Sequence, residues 1–153
     1  MEVLVIHEDL YRKIHELMPI ARVDLVIPRD DLILLVKRKD EPGKGSWWFP
    51  GGRIWRGESF EEAAWRIART ETGLALELVT LIGVDDVRHP EDPFGHGKGS
   101  HHISVVMMGV PKTGEVVTDP SSIEHSWNGH FMDLDPYVRK WVCRGILDLP
   151  FAM

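Results

Sequence analysis

Residues 51–74 read GGRIWRGESFEEAAWRIARTETGL, and the spacing within them predicts a glycine turn feeding a helix. Ser59, followed three residues later by Glu62, makes a capping box. Gly73 supplies the stop, so the helix is predicted over 59–72. Turned at about 100° per residue, Phe60, Ala63, Ala64, Ile67 and Leu74 share one apolar stripe. Glu71 falls in the middle of that stripe, whereas Glu62, Arg66 and Arg69 lie on the other side. A carboxylate on an inward face is costly unless it is paired or holds a cation. Periodicity alone leaves three fates open for Glu71: snorkelling to solvent, pairing with Arg38 or Arg53, or binding a metal. The preceding Gly51-Gly52 lets a backbone carbonyl or amide approach a ligand closely. Glu58 stands just before the helix, within reach of the Arg66 turn. A glycine-rich turn leading to a helix with an inward carboxylate suits magnesium and phosphate.

Outward from this stretch, residues 8–18 (EDLYRKIHELM) carry apolar residues at helical spacing, ended by Pro19. Residues 22–27 and 32–37 read as two strands across a Pro-Arg-Asp-Asp turn. Residues 40–46 form a loop. Residues 76–88 and 101–110 read as strands separated by a Pro/Gly/His-rich loop from Pro90 to Ser100, and 112–122 as turn and loop. His130 to Leu134 is a short strand candidate. Asp135-Pro136 then caps and opens a last helix, PYVRKWVCRGIL. Strands outnumber helices, and the longer helices can cover a mixed sheet, which is an α/β sandwich.

The chain has 153 residues, a length that suits a single domain over 1–153. No apolar run approaches the roughly 18 residues needed to span a bilayer, and the N-terminus is wrong for a secretory signal because acids follow its short apolar run. One cysteine, Cys143, excludes an internal disulfide framework. A cytoplasmic protein without membrane partners is expected. The net charge of −6 argues against a nucleic-acid partner. Between Lys37 and Arg56, however, six basic residues face two acids, a pattern that fits either a local anion site or a solvated loop.

The 51–74 segment resembles the Nudix box, in which a glycine, a glutamate and an arginine precede a glutamate-rich helix end. Gly52, Glu58, Arg66, Glu71, Gly73 and Leu74 stand at the matching positions. Two of the family's glutamates are absent, replaced by Ile67 and Thr70. The resemblance implies an α/β/α sandwich, with a mixed sheet between helices and the box as a metal platform. Within the family, the sequence is similar to the GDP-mannose mannosyl hydrolase (glycohydrolase) branch, from about Leu10 to Tyr137. That branch lacks the same two glutamates. There, water attacks the anomeric carbon of the sugar, releasing GDP and free sugar.

The likeness implies roles residue by residue. The Gly51 carbonyl, Glu71 and Glu124 resemble the metal ligands, for Mg²⁺ with Mn²⁺ as a substitute. His125 matches the catalytic base. Arg38, Arg53 and Arg66 match arginines of the family site, and Asp24 a substrate-side carboxylate. Glu58 and Arg66 are expected to brace the loop. Arg38 and Arg53 would neutralise charge growing on the nucleoside diphosphate as it leaves, and a neutral His125 imidazole would take the proton of the attacking water. A small-molecule nucleotide sugar is the implied substrate, and the branch's habit makes a homodimer an expectation. Trp47 and Trp48 read either as stacking groups or, more simply, as core. His96 sits in a loop that would either close over substrate or serve as a plain hairpin connection. Two alternatives stay open: a conventional pyrophosphohydrolase attacking phosphorus, which the missing glutamates disfavour, and a non-catalytic nucleotide-sugar binding module.

Overall fold

The computed structural model describes residues 5–112 and 124–147. The turn and loop expected over 112–122 lies almost wholly outside them. Eleven elements follow in order: α1 (Glu8–Leu17), β1 (Ile20–Val26), β2 (Pro28–Arg29), β3 (Leu32–Lys37), β4 (Trp47–Trp48), β5 (Gly51–Arg53), α2 (Phe60–Thr72), β6 (Leu76–His89), β7 (Ser100–Pro111), β8 (His125–Asn128) and α3 (Pro136–Leu147). One sheet runs β5-β1-β7-β6 and is mixed, since β1 is parallel to β7 while β5 and β6 pair antiparallel with their neighbours. In the second, antiparallel sheet, β3 pairs with β2, β4 and β8.

Successive side chains of a strand point to opposite faces, and here both faces are covered by helices. Val23, Leu25 and Ile27, with Val105 and Met107, pack against Ala63, Ala64, Ile67 and Ala68 of α2. Val26 and Val106 point the other way, onto Val138, Trp141 and Val142 of α3. The sheets therefore lie between α2 and α3, the layering expected from the sequence. Gly83 makes room for α3, because a Cβ there would collide with the Trp141 ring. Among the described residues no helix is long and apolar enough to cross a membrane.

The segments 22–27 and 32–37 form strands, as expected, and belong to different sheets. Pro28, which has no N–H to donate, falls where the chain leaves β1, and the tight turn at Asp30-Asp31 instead joins β2 to β3. The short strand expected at 130–134 lies at His125–Asn128. There Leu34 pairs with Trp127, and the Asn128 side chain accepts the His130 N–H at 2.6 Å, turning the chain away after Gly129. Phe60, the first residue of α2, is 43% exposed rather than inward, whereas Thr72 near the other end is buried.

Candidate active site

The α2 helix is fixed at both ends. Ser59 accepts the Glu62 N–H, Glu62 accepts the Ser59 N–H, and Gly73 closes the helix in the left-handed conformation at φ 72°. The loop before it is tied down by Glu58, whose carboxylate takes the Arg66 guanidinium and the Trp55 N–H. Arg66 also donates to the Arg53 carbonyl at 2.8 Å and lies over the Trp55 ring. Burial pushes the Glu58 carboxyl up, but these donors outweigh it and hold the pKa below the usual carboxylate value. The Glu58 side chain is 2% exposed, so the pair stands in low dielectric.

This brace places Gly51 against a cleft. Leu25 donates to Pro50 and Ile54 to Ala21, and since hydrogen-bonded pairs alternate along an antiparallel ladder, Gly51 opposite Asp24 is a non-bonded pair. Its carbonyl therefore points off the sheet edge, away from β1. Glu71 is half-buried and lines the same cavity, of about 250 Å³, together with Gly51, Arg22, Val36, Lys37 and Arg38. A carboxylate and a free-edge carbonyl are hard oxygen donors and fit Mg²⁺ in chemistry. Glu124 is exposed at the end of β8, with its carboxylate 3.7 Å from Lys37. Among the described residues no three His, Cys, Asp or Glu converge on one point, so a cation here would be held by few protein ligands and by water.

The opposite wall is cationic. Arg38 is half-buried, and its Nε is buried with no hydrogen-bond partner. Burial lowers its pKa, Arg22 beside it pushes the same way, and Asp24, Asp40 and Glu41 pull it back. Arg22 stands directly across from Arg53 in the β1–β5 register, so the two cationic side chains share one face of the sheet. The Arg53 guanidinium lies over the Tyr11 ring at 4.7 Å.

Asp24 is 1% exposed. It accepts Arg22 at 3.1 Å on one oxygen and the Tyr137 hydroxyl at 2.6 Å on the other. Burial first, then the Asp24 charge, raises the Tyr137 pKa and keeps the phenol a donor. Asp24 thus orients Arg22 from behind. A side chain at Gly51 would run into the Asp24 carboxylate and Arg22, which is why this edge residue is a glycine. His125 is exposed on β8 opposite Val36, a wall of the cavity, so the imidazole shares the sheet face that Val36 presents.

A second cavity, of about 440 Å³, continues past Arg22, Arg38 and Asp40 to Tyr11, His15, Phe94 and His102. Sequence reading missed these residues and Arg22. Only Arg22 left a signal, two positions before Asp24 and hence on the same strand face. Trp48 is core, stacked on Tyr137 at 5.1 Å. His96 lies in the connection of the antiparallel β6–β7 hairpin, one of the two expectations, and hydrogen-bonds His15 at 2.8 Å, which ties that connection to α1.

The NUDIX domain family model matches residues 18–141. The chain is 41% identical over 100 residues, 65% of its length, to the ADP-ribose pyrophosphatase of Methanocaldococcus jannaschii; the match spans 58% of that protein. It is 26% identical over 145 residues, 90% of its length and 88% of the relative's, to the low-salt glycan biosynthesis protein Agl8 of Haloferax volcanii. Among solved structures, a MutT NUDIX hydrolase from Burkholderia pseudomallei superimposes with a TM-score of 0.69 at 30% identity, covering 83% of this chain and 98% of the other. A brace that fixes a glycine edge against one helix carboxylate, and a family match spanning both, make this chain a member of the Nudix family.

Proposed function

We propose that the protein is a Mg²⁺-dependent hydrolase of nucleotide sugars of the GDP-mannose kind, in which water attacks the anomeric carbon and releases a nucleoside diphosphate and free sugar. The observation that carries this reading is the balance of groups around the cavity. Only one α2 carboxylate, Glu71, lines it, whereas Arg22 of β1 and Arg38 at the end of β3, with Lys37 and Lys39, bring positive charge to it. Ile67 is 1% exposed beneath Gly52, and the Thr70 hydroxyl turns back to the Arg66 carbonyl. Neither position supplies a ligand.

A bound Mg²⁺ would supply charge neutralisation for the diphosphate. Glu71 and the Gly51 carbonyl would hold it, with Glu124 as the third donor after release from Lys37. Arg38 and Arg53 bind the diphosphate oxygens and stabilise the charge that grows there as the C–O bond breaks. Arg22, aligned by Asp24, completes the anion site. His125 accepts the proton of the attacking water. The Glu58–Arg66 pair positions the loop without touching substrate. The whole chain is taken to act as one cytoplasmic domain and, by likeness to the branch, as a dimer.

A second reading has its own support: the 41% identical relative is named an ADP-ribose pyrophosphatase. Attack would then fall on phosphorus. The name of Agl8, which matches along most of the chain, favours glycan chemistry instead. Phosphorus NMR of a GDP-mannose digest tests the proposal. The doublets of GDP support it. GMP together with mannose 1-phosphate, or turnover of ADP-ribose alone, contradicts it.

A further inference from the structure

We infer that Tyr137, in the first turn of α3, is a positioning residue for the anion site: its hydroxyl fixes Arg22 through Asp24, and its ring backs the Trp48 ring over which Arg38 lies. This rests on the diphosphate reading of the two arginines given above.

The strand period places the parts. Arg22, Asp24 and Val26 share one face of β1, and Val26 belongs to the same core cluster as Val138, the neighbour of Tyr137 on α3. A phenol 113 residues away in sequence thereby reaches Asp24 and donates to Oδ2 at 2.6 Å. The other oxygen, Oδ1, accepts the Arg22 Nε–H at 3.1 Å and stands 3.1 Å from the nearer terminal nitrogen of the same guanidinium. Each carboxylate oxygen thus has its own donor. The Asp24 side chain is 1% exposed, so water cannot take the place of the phenol. Without it, one oxygen of a buried charge loses its donor, and the carboxylate can turn and carry Arg22 with it. Arg22 needs this hold. It lines both cavities beside Arg38, whose guanidinium feels its charge, and like charges drive such groups apart.

The ring of the same residue reaches the second arginine. Tyr137 stacks on Trp48 with centroids 5.1 Å apart and planes 13° from parallel, and Phe49 meets it edge-on at 6.1 Å. The Arg38 guanidinium carbon lies 5.7 Å from the Trp48 centroid. Tyr137 is itself anchored, because Asp135 accepts its backbone N–H at 2.8 Å at the start of α3. Tyr137 lines neither cavity, so it acts through the arginines rather than on the ligand.

Calorimetric titration of inorganic pyrophosphate with Mg²⁺ tests this. Y137F keeps the stacked ring and deletes only the donor, and is expected to weaken pyrophosphate about tenfold. R22Q weakens it as well, and Y137F added to R22Q should change the affinity less than twofold, because the hydroxyl acts only through Arg22. A hydroxyl that merely stabilises the fold would lower the melting temperature and leave the affinity alone. With GDP-mannose, Y137F should raise KM about tenfold and keep kcat within twofold, the mark of lost uniform binding. A measurement on the wild type needs no variant to fold: by ¹⁵N NMR, the Arg22 Nε–H is expected to exchange with water at least about tenfold more slowly than that of exposed Arg12. If Arg22 exchanges as fast as Arg12, or if pyrophosphate binds Y137F within twofold of wild type, the positioning role is overturned while the anion site stands. If R22Q leaves pyrophosphate affinity unchanged, the anion reading fails and the positioning role falls with it.

Discussion

Arg38 is held with its guanidinium desolvated, beside a second arginine, and with Nε unpartnered. Such a group lowers stability in the absence of ligand and is retained for what it binds. The R38M variant should therefore melt a few degrees higher without ligand, read by calorimetry, and lose about 10²-fold in kcat/KM. Lysine should rescue little, because a point charge cannot reproduce the planar fork. His125 has the opposite character, exposed and, among the described residues, without a hydrogen-bond partner. H125Q should cost about 10²–10⁴ in kcat with KM nearly unchanged, as expected for a proton acceptor rather than a binding group. His102 makes an acid-stability prediction. Its pKa falls from 6.5 to about 3 on folding. The unfolded chain takes up the proton more readily, so its contribution is complete above about pH 6.5 and is lost as pH falls. The slope approaches about 1.4 kcal/mol per pH unit until about pH 3. H102Q should flatten urea midpoints measured between pH 6.5 and 5, relative to the wild type.

At the scale of elements, α2 was legible because its signals are local. A capping box, a left-handed glycine stop and an apolar stripe each depend on residues a few positions apart. S59A should cost about 1 kcal/mol of stability in urea titration. The absence of two family glutamates was equally readable, but its consequence needed the packing. Ile67 sits at 3.6 Å from where a Gly52 Cβ would be, inside the α2 core cluster. Restoring a glutamate there should destabilise the fold by about 3 kcal/mol rather than rebuild a metal site. T70E lies on the exposed surface and should be tolerated. The strand at His125–Asn128 escaped sequence reading because HSWN has little alternation of its own. Its pairing is fixed by β3 across a long stretch of chain, and no local pattern announces a partner that distant.

For the whole molecule, element types could be read from sequence, whereas the division into two sheets could not. The unbroken apolar run of β3 announces burial on both faces, yet it is silent on which strand lies beside which. The cleft shows the same limit. Glu71, Gly51 and Arg53 stood out because the box motif groups them in sequence, and Arg38 because the wider family likeness reaches it. Tyr11, His15, Phe94 and His102 meet only through folding, over separations of up to ninety-one residues. The sharing of Arg22 and Arg38 by two adjoining cavities makes the arginines the middle of one continuous binding surface. The direct test of what happens along that surface is to digest GDP-mannose with Mg²⁺ in ¹⁸O-labelled water and weigh the products. Attack at carbon predicts labelled free mannose and unlabelled GDP. Label on the phosphate of GMP or of mannose 1-phosphate would contradict it.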